Sequence, residues 1–293
     1  MKRYTVYLQT ACIIAPLMLV QGCAKEPASH LMDRVDTPET GAKNASAPAQ
    51  TADERALLQR ADTARALGNT VEAQRYYEAA AKASTGSVRA HLELADIYQQ
   101  QKQTDQAIAL LKQAHTLVPN HVETLKKLAE LFLQTGNDKE AGQYAMKGLR
   151  QHSKDTRLLN IKGILQDRES RHREAQRTYE QALEHAAAQA DKEYTVNNLA
   201  LSLIASADYG KAIDLLEAHL PKAENPSAFR QTLALAYGVQ GDENKAYELG
   251  LHDLSIEEAR ENLYFYQQYR KDMIDRDVLF QNAAEAARLG AKH

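Results

Sequence analysis

The chain has 293 residues and a formal net charge of −3, from 36 basic and 39 acidic side chains. This mild acidity argues against nucleic acid as the partner, because phosphate backbones select basic surfaces. Tryptophan is absent and there are only two cysteines, Cys12 and Cys23, so the composition is not that of a disulfide-rich scaffold. Alanine, leucine, glutamine, glutamate and lysine are abundant, which favours helices.

The segment 1–22 has the composition of a secretory signal. Two basic residues precede an apolar run at 11–20, about half of the roughly 20 residues that a membrane span needs. The run leads into Val-Gln-Gly-Cys at 20–23, which resembles the lipobox of bacterial lipoproteins, where cleavage precedes a cysteine that is then acylated. We therefore predict a lipoprotein signal peptide at 1–22 and lipidation of Cys23. The alternative is an ordinary signal followed by an incidental cysteine.

Cleavage before Cys23 would change the net charge of the protein, and the residue after Cys23 bears on its localisation. Loss of Lys2 and Arg3 changes the formal charge from −3 to −5 and leaves no free thiol for a disulfide or a metal site. Ala24, rather than aspartate, follows the cysteine. By resemblance to the sorting rule of enteric bacteria, this favours the outer membrane, facing the periplasm.

The segment 23–52 is rich in proline, alanine, threonine and serine and shows no periodicity. Such a segment buries too little apolar area to offset the entropy of ordering. We predict a lipidated, disordered tether that lets the folded body lie roughly 30 Å from the lipid.

The body of the chain repeats with a period typical of tetratricopeptide repeats, about 34 residues. One alanine recurs at this period, with a single longer interval, at Ala73, Ala107, Ala141, Ala175, Ala212 and Ala246. A second small residue keeps the same register at Ala61, Ala95, Ala129, Gly163, Ala200 and Ala234. In such repeats small residues let two helices approach, and neighbouring pairs stack. The longer interval contains three extra positions, which lie near Gln189 to Lys192.

These spacings predict an all-α fold, a right-handed superhelical solenoid of about six helix pairs with C-terminal capping helices. The solenoid is predicted at 53–271 and a C-terminal helix and tail at 272–293. The first cap is expected from about Ile256 to Lys271, and the last helix from Asp275 to Gly290. Glycines 68, 136 and 241 are expected in the turns within pairs. The predicted repeats are 54–87, 88–121, 122–155, 156–189, 193–226 and 227–260.

No pattern typical of catalysis is present. The ten histidines lack the spacing of a helical zinc site, and neither a nucleophile elbow nor a phosphate-binding loop occurs. Acidic residues such as Glu123 and Glu174 are typical of solvated helix faces. We therefore predict a protein that is not an enzyme and that uses no cofactor and no metal.

The first helix of each pair is expected to line a concave groove that binds a protein partner. Positions 2, 5, 9, 12 and 13 of the repeats supply the candidates, which become less charged toward the C-terminus. Amides at position 5 either bind the backbone of a partner peptide or satisfy the neighbouring helix. The predicted partner-binding residues are Arg89, Asp96, Gln99, Lys126, Glu130, Arg157, Asn160, Asp167, Tyr194, Asn197, Leu201, Ile204, Gln231 and Leu235.

The C-terminal half carries the most specific sequence. It reads NNLALSL at 197–203, YGKA at 209–212 and FRQTLALAYG at 229–238, followed by HDLS at 252–255 and ENLYFY at 261–266. With the lipoprotein start, these runs resemble TadD, the tetratricopeptide lipoprotein family of tight-adherence (Flp) pilus systems. Thr232 departs from the asparagine expected there.

The resemblance implies an outer-membrane lipoprotein adaptor of the Tad/Flp pilus machine. Its expected role is that of a pilotin, which binds the secretin and aids its localisation or assembly in the outer membrane. Other Tad components are further possible partners. The alternatives are similar adaptors for a type IV pilus secretin, a cell-wall hydrolase or the barrel assembly complex.

Overall fold

The computed structural model of the protein describes residues 51–83 and 87–272. Every regular element in these ranges is helical, as the sequence predicts. The helices are α1 (Ala52–Ala66), α2 (Thr70–Ala83), α3 (Val88–Gln100), α4 (Thr104–Leu117), α5 (Val122–Gln134), α6 (Asp138–Leu149), α7 (Thr156–Arg168), α8 (His172–His185), α9 (Gln189–Ala205), α10 (Tyr209–His219), α11 (Pro226–Gln240), α12 (Glu243–Gly250) and a helix over residues 256–272. A short 3-10 turn, Leu220–Lys222, follows α10.

Several predicted features lie outside the described residues. These are the signal peptide, the lipidation site at Cys23, nearly all of the tether and the helix expected from Asp275 to Gly290. Within 51–83 and 87–272, no helix is both long enough and apolar enough to cross a membrane.

The chain divides into two compact units, with the boundary inside α7 between Leu165 and Gln166. Of the described residues, 51–83 and 87–165 form the N-terminal unit and 166–272 form the C-terminal unit.

Side-chain caps start several of the helices where the sequence changes from loop to helix. The Thr51 hydroxyl accepts a hydrogen bond of 3.1 Å from the backbone N–H of Glu54 at the start of α1. Ser87 caps α3 in the same way, and Asp242 caps α12. Each cap satisfies one of the backbone donors that a helix N-terminus leaves unpaired.

A left-handed residue ends the first helix of each pair. The expected glycines have φ between 74° and 114°, and three non-glycine residues at the equivalent positions have φ between 60° and 62°. In the first pair, the Gly68 N–H donates to the Arg65 carbonyl and the Asn69 N–H to the Ala64 carbonyl, both at 2.9 Å. This pair of bonds is a Schellman motif, which satisfies the last carbonyls of the helix. The left-handed residues are Gly68, Lys102, Gly136, Ser170, Ala207 and Gly241.

The predicted small residues form the core of the N-terminal unit. The alanines that face each other within its pairs are no more than 2% exposed, namely Ala61, Ala73, Ala95, Ala107, Ala129 and Ala141. Tyr77 and Leu111 fill the space beside them and are 0% and 1% exposed. Burial of each such large side chain contributes roughly 1.5–3 kcal/mol.

In the C-terminal unit the three-residue insertion lengthens α9. Helix α9 has 17 residues, against 13 in α3, α5 and α7, and it begins at Gln189, where the sequence places the insertion. The added turn places Glu193 inside the helix. Its carboxylate accepts from the backbone N–H groups of Glu224 and Asn225, at 2.6 and 3.1 Å. The lengthened helix therefore holds the loop that leads into α11.

The expected capping helix is present at 256–272 and is locked onto α11 by one aromatic ring. Tyr266 is 6% exposed, and its ring lies so close to Gly238 that a Cβ atom there would be 2.2 Å from the Tyr266 Cδ2 atom. Gln267 and Arg270 also donate to the Glu243 carboxylate, at 2.9 and 3.0 Å.

Exchange of alanine and glycine at two left-handed positions should change stability in opposite directions. Gly136→Ala should lower the free energy of unfolding by about 1 kcal/mol, because a Cβ atom disfavours positive φ. The Cβ itself would contact nothing within 4 Å, so the cost comes from the backbone alone. Ala207→Gly, at φ 62°, should raise the free energy by a similar amount. Urea denaturation measures both, and a loss of stability in Ala207→Gly would contradict the prediction.

Gly238→Ala should detach or strain the 256–272 helix. Alanine is normally the better helix residue, but the overlap with Tyr266 should make this change destabilising by about 2 kcal/mol. Gly210→Ala is the matched control, since its Cβ meets nothing within 4 Å and should be neutral or stabilising. Thermal unfolding and the rate of proteolytic cleavage beyond residue 255 distinguish the two variants. If both variants have the same melting temperature and cleavage rate, the packing of Tyr266 on Gly238 is contradicted.

Candidate protein-binding surface

The first helices of the pairs in the N-terminal unit carry a regular row of acids. Asp62, Asp96 and Glu130 lie one repeat period apart, at position 9 of successive repeats. The predicted groove contains the last two, and the same spacing identifies Asp62 as a member that the sequence reasoning missed.

Cations from the following repeat pair with two of these acids. Arg89 Nη2 lies 2.6 Å from Asp62 Oδ2, and Lys127 Nζ lies 2.6 Å from Asp96 Oδ1. The Tyr77 hydroxyl also donates to Asp62, at 2.8 Å. All four charged side chains keep between 23% and 41% of their surface exposed. Pairs so exposed contribute roughly 0–1 kcal/mol each, so they fix side-chain positions more than they stabilise the fold.

A second charged cluster surrounds Lys126. Its Nζ atom lies 2.8 Å from Glu123 Oε2 and 3.5 Å from Asp155 Oδ2. Burial acts to raise the pKa of Glu123, but the hydrogen bond and charge of Lys126 outweigh burial and hold that pKa below its usual value. Burial likewise acts to lower the pKa of Lys126, and Glu123 outweighs it and raises that pKa.

Of the three acids in the row, Glu130 is the one whose ionised form burial disfavours. Burial raises its pKa above the usual value, although the charges of Arg157 and Lys127 act in the opposite direction. A carboxylate kept in a desolvated position gains from a further cation or hydrogen-bond donor. Such perturbed groups occur preferentially at functional sites.

The remaining candidates in the N-terminal unit differ in exposure. Gln99 and Arg157 are exposed, and Arg89, Asp96 and Lys126 are half-buried. Asn160 is 1% exposed, and its side-chain amide donates to the Thr156 carbonyl at 2.9 Å.

In the C-terminal unit, Asp167 is the centre of a buried hydrogen-bond cluster. It is 7% exposed and receives hydrogen bonds from the Ser202 hydroxyl at 2.7 Å and the Tyr179 hydroxyl at 3.0 Å. His172 Nδ1 lies 2.8 Å from the same carboxylate. Burial, together with Asp167, raises the pKa of Tyr179 well above its usual value. Aspartate, histidine and serine meet here, yet the serine bonds the carboxylate and not the imidazole, unlike an activated nucleophile.

The other candidates of the C-terminal unit lie mostly inside it. Tyr194 is 46% exposed, whereas Leu201, Ile204 and Leu235 are 7%, 0% and 2% exposed. Their part in partner binding stays a prediction, and the exposed and charged residues remain the better candidates.

The amides at position 5 all make internal hydrogen bonds. Besides Asn160, Asn197 accepts from the Thr232 hydroxyl at 2.7 Å, and Gln231 donates to Asp253 at 3.3 Å. The Asn197–Thr232 bond joins two helices, and the Gln231–Asp253 bond joins α11 to the turn after α12. Both agree with the interpretation in which the amides satisfy neighbouring elements of the fold. Thr232 therefore supplies the hydroxyl that Asn197 accepts from. It stands at the position where the resemblance to TadD predicts asparagine.

Across the described ranges, no group of three or more histidine, cysteine or acidic side chains is arranged to hold a metal ion.

Comparison with known proteins agrees with the helix-pair geometry. A family model described as tetratricopeptide repeat matches residues 64–114 and 99–165. A tetratricopeptide repeat protein from Parabacteroides merdae is 18% identical with a TM-score of 0.57, over 73% of this chain and 84% of that one. PilF of Pseudomonas aeruginosa is 16% identical with a TM-score of 0.58, over 75% of this chain and 97% of that one.

A larger protein shares the fold as well. A chain of the APC/C Cut9–Hcn1 structure is 21% identical with a TM-score of 0.63, over 73% of this chain and 42% of that chain. The present chain therefore spans less than half the length of that protein. At these sequence identities, the structural similarities establish the fold and no shared function. A search of curated proteins finds no significant match.

Replacement of Asp167 should reveal its structural role. Asp167→Ala removes an acceptor that Ser202, Tyr179 and His172 share, so the free energy of unfolding should fall by about 3 kcal/mol. Asp214→Ala changes the same charge at an exposed position of the C-terminal unit and should stay within about 0.5 kcal/mol. Denaturant unfolding measures both, and equal losses would contradict the cluster.

Two neighbouring glutamates should respond oppositely to neutralisation. The folded pKa of Glu123 is lowered, so its ionised form stabilises the fold above its unfolded pKa, and Glu123→Gln should cost about 0.5 kcal/mol at pH 7. The folded pKa of Glu130 is raised, so folding disfavours its ionised form, and Glu130→Gln should be stabilising at pH 7. The difference should shrink as the pH falls through the folded pKa of each group and the carboxylates become protonated, and a difference that does not change with pH would point to packing instead.

Proposed function

Since the described chain is all-α and its residues 64–165 match a tetratricopeptide repeat model, we propose that it is a lipidated adaptor of the Tad/Flp pilus machine. In this role it acts as a pilotin, which binds the secretin and aids its localisation or assembly in the outer membrane. Binding of protein partners is the general property of such repeats. The secretin, the lipid anchor and the outer-membrane address are the specific parts of the proposal.

The observation that carries the proposal is the charged surface of the N-terminal unit. Three acids spaced by one repeat lie beside cations of the next repeat, and Glu130 remains in a desolvated environment. These charges contribute little to folding and, at Glu130, oppose it. Their arrangement suits a partner segment that presents charges of both signs, such as one face of an amphipathic helix or a chain terminus.

The residues that resemble TadD support the more specific part of the proposal. Several of them form the packing of the C-terminal unit, namely Arg230 with Asp253 and Gly238 with Tyr266. A sequence signature made of mutually contacting residues specifies one structural arrangement, whereas the repeat period alone is shared by many unrelated adaptors.

The proposed mechanism needs no chemical step. Acyl chains on Cys23 anchor the protein, since each buried methylene contributes about 0.8 kcal/mol and several chains together anchor stably. The tether at 23–52 lets the folded body lie at a distance from the membrane, and the charged surface binds a secretin subunit. The protein works without nucleotide, cofactor or metal.

Secretin assembly in cells tests the proposal. Outer-membrane fractions of wild type, a deletion strain and Cys23→Ala are compared for heat-resistant secretin multimers. We expect the multimers to be lost, or to remain in the inner membrane, in both mutants. Normal multimers in all three strains would contradict the pilotin role. Co-purification of a hydrolase or of barrel assembly proteins instead would favour those alternatives.

A charge reversal on the surface tests which face binds. Arg157→Glu should weaken co-purification of the secretin by about tenfold, as expected for a contact worth about 1.4 kcal/mol. Arg173→Glu makes the same charge change at an exposed position of α8 and should have no effect. Equal binding by both variants would exclude the charged surface as the secretin site.

A further inference from the structure

A separate pocket lies on the second helices of the pairs in the N-terminal unit. It is an open cavity of about 600 Å³ between α4 and α6. This volume falls within the range of small binding sites, which is about 300–1,000 Å³. The lining residues are His115, Gly142, Gln143, Tyr144, Met146, Lys147 and Arg150.

The pocket is cationic. Lys147 and Arg150 are one helical turn apart at the end of α6, and within the described part of the chain neither makes an ion pair. None of the lining residues is acidic. Burial, together with the charge of Glu140, raises the pKa of Tyr144 in the pocket wall. Two cations thus face the cavity without a carboxylate in its wall.

His115 lines the pocket beside Lys147. Burial and the charge of Lys147 lower its pKa, so the imidazole is neutral at pH 7. Its Nε2 atom lies 3.1 Å from Lys147 Nζ, which can only donate, so the ring proton is on Nδ1. The Nδ1 atom is buried and has no hydrogen-bond partner among the described residues. A buried donor without an acceptor costs roughly 1–3 kcal/mol.

Aromatic stacking holds the pocket wall in place. The Tyr144 ring meets the His115 ring edge to face, with centroids 5.4 Å apart. On its other side Tyr144 stacks on Phe132, with centroids 5.7 Å apart, and Lys112 lies over the Phe132 ring. Met146, 45% exposed, gives the pocket an apolar rim. The cavity therefore combines two cations with a rigid aromatic and thioether surface.

We propose that this pocket is a second protein-docking site, which binds an acidic segment with an apolar side chain beside its carboxylates. The carboxylates pair with Lys147 and Arg150, and the apolar side chain packs on Tyr144 and Met146. A lipid surface fits less well, because anionic membranes are recognised by clusters of about four to eight basic residues on one face. This docking site is independent of the secretin and of the charged surface on the first helices.

A binding assay on the mature full-length chain tests the site. The probe is a fluorescein-labelled decapeptide of alternating glutamate and leucine, measured by fluorescence anisotropy. Binding should weaken at least tenfold in Lys147→Glu/Arg150→Glu. The control Arg75→Glu/Lys82→Glu changes the same charge at exposed positions of α2 and should bind as wild type. Circular dichroism verifies that both variants are folded, and the His115 ring signals in NMR should shift on binding.

Other possible ligands of the pocket would each give a different result in these measurements. Equal loss in both charge-reversal variants would show long-range attraction only and overturn the site. Binding of vesicles containing phosphatidylglycerol, or displacement of the probe by millimolar inorganic phosphate with no shift at His115, would overturn the peptide assignment. Tighter binding of a synthetic peptide of residues 24–51 than of the decapeptide would identify the chain's own tether as the occupant, and overturn the partner.

Discussion

Close approach of two helices within a pair is the constraint on which the other features depend. In the three pairs of the N-terminal unit, alanines 0–2% exposed lie on both helices, and larger side chains at these positions would separate the helices. Once that approach is fixed, the register of every other position follows. Position 9 of one repeat then lies beside the next repeat, which is why Asp62 meets Arg89 and Asp96 meets Lys127.

The same constraint separates structural from binding roles along the chain. In the first three repeats, position 9 is acidic and partly exposed, so these repeats present a charged surface, whereas Ile164 at position 9 of the fourth repeat is 2% exposed. In the C-terminal unit, the equivalent Leu201 and Leu235 are 7% and 2% exposed and contribute to the core. Asp167 is polar but also belongs to the interior, because three donors converge on it. Position in the repeat alone therefore does not decide whether a residue meets a partner.

Most of the helical architecture could be predicted from the sequence, since it depends on a short-range period. The helix pairs, the buried alanines and the helix at 256–272 all follow from spacing and apolar patterning. The glycines at 68, 136 and 241 are expected in turns, but Lys102, Ser170 and Ala207 adopt the same left-handed conformation without any glycine signal. Their conformation is imposed by the Schellman bonds and by the packing of the pair, which override local propensity.

The site was less predictable, because burial depends on contacts between repeats that single positions do not reveal. A sequence cannot show that Ile204 is fully buried while Tyr194 stays nearly half exposed on the same helix. The pocket around His115 was missed for a related reason. Its residues come from two different repeats at non-equivalent positions, so no periodic pattern brings them together.

The lengthened α9 makes the six repeats unequal as building blocks. Between positions 54 and 155 the junctions are interchangeable in length, so an additional repeat of the same length placed at 121/122 would preserve the phase of the array. At 189–192 the register advances by three positions, and Glu193 reaches the backbone of the loop before α11. If a repeat from one side of that junction replaced a repeat on the other side, its first helix would be one turn too short or one turn too long. Duplication and recombination of this chain are therefore tolerated on one side of the insertion and penalised at it, which makes the segment 189–193 a boundary for modular exchange.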